Sequence, residues 1–465
     1  MKLRGKHVLV LGLGESGLAC ALWCARQGAR VRVADTRAAP PYLDELQRRM
    51  VGADSHPEFV AGEFTSALLA GVDLLALSPG LPAGLPLVLE ARARSIAVVG
   101  EIELFAQGLR DLGQAAVLAI TGTNGKTTTT ALTGHLLQAT GMRVGVAGNI
   151  SPAALAALMD AQDAPALPQI WVLELSSFQL ETTATLNPMA ATVLNISDDH
   201  LDRYVDLDDY AATKARIFSG DGVQVLNRDD ARARGMALPG RRVIGFGLGA
   251  PVGDDDFGLR LRGGEAWLAR GESLLLPLSE LPLAGLHNAA NAMAALALCV
   301  AAGFDAQSLL PALRSFRGLP HRVEKVAEIG GVTWYDDSKG TNVGATVAAL
   351  AGLGGTNSRK SVVILGGDGK AQDFSPLRDA VAKHARAVIL IGRDGPAIGV
   401  AIATAGIATE SARDMDDAVR RAAALARPGD AVLLSPACAS FDMFRNYEHR
   451  AQAFITAVRA MEAAP

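Results

Sequence analysis

Residues Ala115–Gly134, AAVLAITGTNGKTTTTALTG, have the layout of a phosphate cradle. An apolar run of strand character, Ala116 to Ile120, feeds a glycine-rich turn, and Leu132, Leu136 and Leu137 beyond it recur at helical spacing. Gly122 and Gly125 permit backbone turns that a side chain would forbid. Successive N–H groups and the positive end of the following helix can then point at one anion. Lys126 adds a mobile cation for the terminal phosphates, and the Thr127 hydroxyl is placed to hold a magnesium ion. The generic pattern G-x-x-x-x-G-K-[ST] asks for a glycine where this chain carries Ile120.

The chain around this loop has 465 residues, enough for about three domains of ordinary size. Hydrophobic residues at 49% and charged residues at 20% describe a soluble globular protein. A formal net charge of -4 argues against a nucleic-acid-binding surface, so the expected ligand is small and held in a pocket. Cys20, Cys24, Cys299 and Cys438 are too few for a disulfide framework and are expected to be core residues in a reducing cytosol. The basic and apolar N-terminus, MKLRGKHVLVLGLG, stops at Glu15 without a cleavage pattern and fits a strand better than an export signal. The apolar stretch Ala292–Gly303 is too short to cross a bilayer. The expectation is a cytoplasmic monomer without membrane insertion.

Residues 7–12 (HVLVLG) are expected to form a buried parallel strand, followed by the turn Gly12-Leu13-Gly14-Glu15-Ser16-Gly17, a helix, and a second strand at Arg30–Ala34 ending at Asp35. A G-x-G-x-x-G turn with an acid about 20 residues on suits a nucleotide diphosphate, although close strand–helix packing would also require the glycines. Apolar runs at Leu74–Leu77, closed by Ser78-Pro79-Gly80, and at Ile96–Val99 continue a small doubly wound unit.

Past the loop, strand-like runs at Val144–Ala147, Ile170–Leu173 and Ala191–Leu194 end at Asn149, at Glu174-Leu175-Ser176-Ser177 and at Asn195-Ile196-Ser197-Asp198-Asp199-His200. In an open parallel sheet such ends lie along one edge, which makes Glu174 and His200 candidates to face the same magnesium and phosphate as Thr127. Lys214, on the polar helix after them, would by itself be a solvated charge. Short strands and Gly/Asp-rich turns fill Val223–Pro282, and the run Gly253–Asp256 is expected to be a solvated loop. Asn288 and Asn291 share one face of an Ala-rich helix and could bracket an adenine edge. After the joint at Phe316–Arg322, a third α/β unit has strands near Val332–Tyr335, Val362–Leu365, Ala387–Ile391 and Ala431–Leu434. Thr341, Lys370 and Ser440 follow three of them and could receive a carboxylate.

The segments TGTNGKTT (121–128), ELSSFQL (174–180), DHLDR (199–203), HNAAN (287–291), PHR (320–322), DSKGTN (337–342) and SPACAS (435–440) together resemble the Mur ligases, the amide-forming enzymes of peptidoglycan precursor synthesis. That family is related to folylpolyglutamate synthetase. Its loop has the TGTNGK form, which accounts for Ile120. The resemblance spans the chain and implies an α/β protein of three domains. These are a Rossmann-like N-terminal domain (1–100) for a UDP-substrate, a central P-loop ATPase-type parallel-sheet domain (101–318), and a C-terminal Rossmann-like domain (319–465) for an amino acid.

The resemblance further implies an ATP- and Mg2+-dependent ligase, with two ions expected, that joins D-glutamate to UDP-N-acetylmuramoyl-L-alanine through an acyl phosphate. Carried over, Gly122, Thr123, Asn124, Gly125, Lys126, Thr127 and Thr128 would hold the ATP phosphates. Asn288, Asn291, Arg322 and Asp337 would hold adenine, phosphate and ribose. Thr127, Glu174, His200 and a carbamylated Lys214 would hold metal, with Lys126, His200 and Lys214 as the catalytic set. Gly14, Glu15, Ser16 and Gly17 would take the UDP diphosphate, with Asp35, Thr36 and Arg37 at the uridine, Ser78 and Gly80 nearby, and Asn149 at the muramoyl group. Thr341, Lys370, Ser440 and Tyr447 would receive D-glutamate. The alternatives are a sister ligase using L-glutamate or a folate-like acceptor and, from another class, an NAD(P)-dependent oxidoreductase built on the first glycine turn.

Overall fold

In the computed structural model, which describes residues 3–50, 57–113, 115–199, 203–354, 359–370 and 372–462, the chain builds three sheets in succession. The first contains β1 (His7–Leu11), β2 (Arg30–Asp35), β3 (Glu58–Ala61), β4 (Leu74–Leu77) and β5 (Ala97–Gly100), all parallel, in the order β3-β2-β1-β4-β5. The order reverses between β1 and β4, and ligands of open parallel sheets bind at such a reversal. Gly12–Gly17 leaves the end of β1 there, and Ser78 N–H, just past β4, donates to Leu11 O at 3.0 Å. Gly17 cannot be replaced without moving the turn, because a Cβ on it would stand 1.9 Å from Gly12 O.

The second sheet holds β6 (Ala116–Thr121), β7 (Val144–Gly148), β8 (Ile170–Glu174), β9 (Ala190–Val193), β10 (Val223–Asn227), β11 (Val243–Phe246), β12 (Phe257–Arg262), β13 (Glu265–Arg270) and β14 (Ser273–Pro277). Its order is β14-β13-β12-β11-β10-β9-β6-β8-β7, parallel from β7 to β12 and antiparallel through the last three. β6 lies between β8 and β9, so the phosphate loop opens beside Glu174 and Asn195. The third sheet has β15 (Glu324–Ile329), β16 (Val332–Asp336), β17 (Ser361–Gly366), β18 (Ala385–Ile391), β19 (Ala408–Ser411) and β20 (Ala431–Leu434), in the order β15-β16-β20-β17-β18-β19. Only its β15–β16 pair is antiparallel.

Packing does not divide the molecule into three equal parts. One core runs continuously from β1 and the helix Glu15–Arg26, through the helix Glu101–Asp111, to β6, β8 and the helix Ala154–Asp163, and contains Trp23, Phe105 and Trp171. Phe105 meets Trp171 edge-on at 5.2 Å. The opposite face of the second sheet is covered by the helices Lys126–Gln138 and Leu286–Ala301. The third sheet has cores of its own on both faces. The expected solvated loop at Gly253–Asp256 lies at the surface, with Gly253 and Asp254 exposed, and is also tied down: Asp255 pairs with Arg242 and Arg270, and Asp256 accepts Gly245 N–H at 2.6 Å. No described helix is long and apolar enough to cross a membrane.

Glu101 and Glu103 pin the connecting helix to the second sheet's elements. Glu101 accepts Leu155 N–H at 2.5 Å, and Glu103 accepts the N–H groups of Ala184 and Thr185, both at 2.8 Å. Burial, helped by the nearby charge of Glu15, raises the Glu101 carboxyl from 4.5 to about 7 despite the Leu155 hydrogen bond. Between those values the folded chain keeps a proton that the unfolded chain has released. The stabilising contribution is therefore full below 4.5 and lost as pH rises through about 7. In urea melts from about pH 5 to 7.5, Glu101→Gln should show a smaller fall in midpoint than the parent. An equal fall in both would show that Glu101 does not titrate there.

Candidate active site

The phosphate loop is held open by amides from neighbouring strands and helices. Gly125 sits at φ 82° immediately before the helix Lys126–Gln138, and a Cβ there would stand 2.4 Å from Asn291 Oδ1. Asn195 braces the loop from the end of β9: its Oδ1 accepts Asn124 N–H at 2.8 Å and its Nδ2 donates to Asn124 O at 3.0 Å. Asn291 Nδ2 donates to Asn288 Oδ1 at 3.1 Å, and Asn288 Nδ2 to Ala284 O at 2.7 Å, so the two Asn side chains form one chain behind the loop.

Around this loop lies a cavity of about 530 Å³ between the second and third sheets. Thr123 to Thr128, Asn149, Glu174, Asn288, Asn291, Arg322, Asp337 and Thr341 all line it. Lys126 Nζ curls back onto the loop and donates to Gly122 O at 2.9 Å and Thr123 O at 2.8 Å. Arg322 Nη2 reaches across from the third sheet's side to Thr127 Oγ1 at 2.6 Å. Both cations are held by neutral acceptors, which an anionic phosphate would outcompete. Burial lowers the pKa of each.

Glu174 Oε1 accepts Asn149 Nδ2 at 2.7 Å, while its Oε2 is buried without a hydrogen-bond partner among the described residues. An unpaired buried carboxylate oxygen is costly unless something completes it. With the Thr127 hydroxyl it makes the hard-oxygen donor set that magnesium prefers, so the residues present fit that ion. Lys214 lies behind the loop, only 1% exposed, with Nζ donating to Gly122 O at 3.0 Å and Thr121 Oγ1 at 3.3 Å. Burial, reinforced by Lys126, pushes its amine far below the usual lysine range. His200 lies outside the described residues.

Asp337 accepts the Ser435 hydroxyl at 2.6 Å, and burial raises its carboxyl to about 7 against the influence of Ser435 and Arg322. Of the residues expected to receive the amino acid, Thr341 lines the cavity; Lys370, Ser440 and Tyr447 stand outside its lining. Lys370 and Ser440 flank a bridge between the ends of β17 and β20, where Asp368 N–H donates to Ala439 O at 2.9 Å. The Lys339 ammonium stands 3.8 Å from the Tyr447 ring centre. Lys339 also lines the cavity, a position readable within the DSKGTN segment but not distinguished there from Asp337 and Thr341.

At the first sheet, Gly14–Gly17 opens the helix Glu15–Arg26, whose first N–H groups are free of helical partners. The Asp35 carboxylate is already engaged. It accepts Leu13 N–H and Arg37 Nη2, each at 2.8 Å, and the Arg37 hydrogen bonds hold it down at about 2. It therefore ties the turn after β1 to the one after β2, leaving the exposed Thr36 and Arg37 beside it. Arg203, given no role by sequence, joins the two sheets through Pro79 O at 3.0 Å, Leu81 O at 2.8 Å and Glu181 Oε2 at 2.9 Å. Glu15 turns away from its own helix to Ser151 and Ala153.

Three family descriptions match in succession: the Mur ligase MurD-like N-terminal domain over residues 6–100, the Mur ligase middle domain over 120–299, and the Mur ligase glutamate ligase domain over 321–438. A protein of Aromatoleum aromaticum named UDP-N-acetylmuramoylalanine--D-glutamate ligase is 61% identical over 467 residues, covering 99% of this chain and 98% of its own. One of the same name from Dechloromonas aromatica is 58% identical, covering 99% and 100%. Among solved structures, UDP-N-acetylmuramate-alanine ligase MurC of Thermotoga maritima has the same fold, with a TM-score of 0.60 and 19% identity over 98% of this chain and 99% of that one. With matches that run through all three of its sheets, the chain belongs to the Mur ligase family.

Proposed function

We propose that this chain is an ATP-dependent amide ligase that adds D-glutamate to UDP-N-acetylmuramoyl-L-alanine. The observation that carries the proposal is the cavity in which a phosphate loop, an incomplete buried carboxylate and residues of the third sheet face one another, in a chain alike over its full length to ligases so named. A carboxylate is a poor electrophile, and its activation needs a leaving group. In the proposed first step a carboxylate oxygen of the alanyl group attacks the γ-phosphorus of ATP, and the bond to the β-phosphate oxygen breaks to release ADP. In the second, the deprotonated amine of D-glutamate attacks the acyl carbon and inorganic phosphate departs.

Gly122 to Thr128 would cradle the phosphates, and Lys126 would leave its loop carbonyls to follow charge onto the transferring group. Arg322 would give up the Thr127 hydroxyl for a phosphate oxygen, freeing that hydroxyl as a ligand. Thr127 and Glu174, with His200, would hold magnesium, which when bound neutralises phosphate charge. Asn288 and Asn291 would meet adenine, and Asp337 the ribose. Thr341, Lys370, Ser440 and Tyr447 would receive D-glutamate. Gly14, Ser16 and Gly17 would hold the UDP diphosphate, with Thr36, Arg37, Ser78 and Gly80 around the uridine and Asn149 at the muramoyl group. Burial and the neighbouring Lys126 charge lower the Lys214 amine's pKa, which favours the form that adds carbon dioxide and is in keeping with a carbamate at that position.

The test is phosphate release with UDP-N-acetylmuramoyl-L-alanine and each glutamate enantiomer, with the product weighed by mass spectrometry. D-glutamate should be incorporated; product with L-glutamate or a folate-like acceptor would favour a sister activity, and no ADP with any of them would refute a ligase. Lys126→Ala should lower turnover by about three orders of magnitude while UDP binding, measured by calorimetry, survives. Loss of both would mean that the two pockets are not separate. Lys214→Ala should lose activity and regain part of it in added short-chain carboxylic acids, which supply the missing anionic oxygens. No regain would count against the carbamate.

A further inference from the structure

Glu15 belongs to the diphosphate turn by sequence, yet its carboxylate serves the other sheet. Glu15 Oε1 accepts the Ser151 hydroxyl at 2.5 Å and Ala153 N–H at 3.1 Å. Ser151 and Ala153 lie in the loop that joins β7 to the helix Ala154–Asp163. That loop is closed on itself, with Gly148 N–H donating to Pro152 O at 2.9 Å and Ser151 N–H to Gly148 O at 3.2 Å. Its other side is fastened to Glu174: Asn149 N–H donates to Glu174 O at 2.8 Å, and Asn149 Nδ2 to Glu174 Oε1 at 2.7 Å. The two backbones press together there, since a Cβ on Gly148 would fall 2.3 Å from Glu174 O.

Ser151 holds a left-handed φ of 59°, a conformation costly for a residue with a side chain unless its surroundings impose it. Both Glu15 and Ser151 are exposed, so their contact adds little to folding. An exposed contact at a strained residue is better explained by placement than by stability. The carboxylate would otherwise point its charge towards a diphosphate at the same helix end. Ser151 and Ala153 draw it aside.

We propose that Glu15 is a positioning residue for the ligase reaction: by holding Ser151 and Ala153 it fixes Asn149 and Glu174 relative to the turn that binds the nucleotide diphosphate. The inference rests on the ligase function proposed above. It makes the Glu15–Ser151 bridge the spacer between the anchored end of the UDP-sugar and its reacting end. Small errors in that spacing reduce turnover more than binding, because the diphosphate anchor is untouched.

The test uses the full chain with Glu15→Ala, Glu15→Gln, Ser151→Ala and the double alanine variant. Glu15→Ala should lower kcat about 5- to 10-fold with the Kd for UDP, measured without ATP or metal, unchanged within about 2-fold. Glu15→Gln keeps an acceptor oxygen and should recover more than half of the loss. The double variant should be no worse than Glu15→Ala alone, because Ser151→Ala breaks only the hydroxyl contact that Glu15→Ala already removes along with that to Ala153. Hydrogen exchange gives a readout independent of turnover: UDP should slow exchange at residues 148–153 in the parent and not in Glu15→Ala. Undiminished kcat, additive losses, or equal protection in parent and variant would overturn the proposal. Should Glu15→Ala not fold, Ser151→Ala is held to the same kcat and exchange criteria. If the parent itself releases no ADP, the ligase function fails, while the exchange and UDP-binding arms still decide whether Glu15 couples the two sheets.

Discussion

The chemistry of the cavity depends on one backbone torsion. Gly125 is left-handed, and Asn291 fills the space where any side chain would project. That turn releases Lys126 as the first residue of its helix and gathers the loop's N–H groups around one point. Asn195 and Asn291 come from different elements, and each contributes hydrogen bonds or bulk that leaves the loop a single shape. The cradle's shape is thus supported by protein contacts of its own, which reduces the ordering left to binding.

Preorganisation here comes with unfinished electrostatics. Among the described residues Glu174 Oε2 has no hydrogen-bond partner, Lys214 donates to neutral acceptors, and Asp337 sits under conditions that disfavour its charge. Each carries a cost that a phosphate, a ribose hydroxyl or a cation would relieve. Functional sites commonly hold such groups, because a fully satisfied cluster would have nothing left to offer a substrate.

Sequence alone disclosed the strands whose ends carry chemistry, because strands buried on both faces, such as β1, β6, β8 and β17, are unbroken apolar runs. It did not disclose β3, β15 or β19. Those are edge strands with mostly half-exposed or exposed residues, and their polar letters look like loop. Local motifs named the loop, Glu174, Arg322 and Asp337. Contacts such as Arg203 with Pro79, Glu15 with Ser151 and Lys339 with Tyr447 join residues far apart in the chain, so no local spacing records them. The acidic run near Asp255 was legible as a surface loop, while its partners Arg242 and Arg270, distant in the chain, were not.

The continuous core beneath the first two sheets makes the molecule's two junctions unequal. Trp23, Phe105 and Trp171 belong to one buried body, so excision of the first hundred residues would strip an oily face bare. The third sheet meets the phosphate loop through Arg322 with Thr127, Asn342 with Asn124, and the closely approaching Gly344. Beside these polar contacts, Gly285 and Gly352 close around the His287 ring and Ala284 packs against the third sheet's core. The first junction is thus a single oily body, and the second a mixed seam in which polar bridges and a small packed patch share the load.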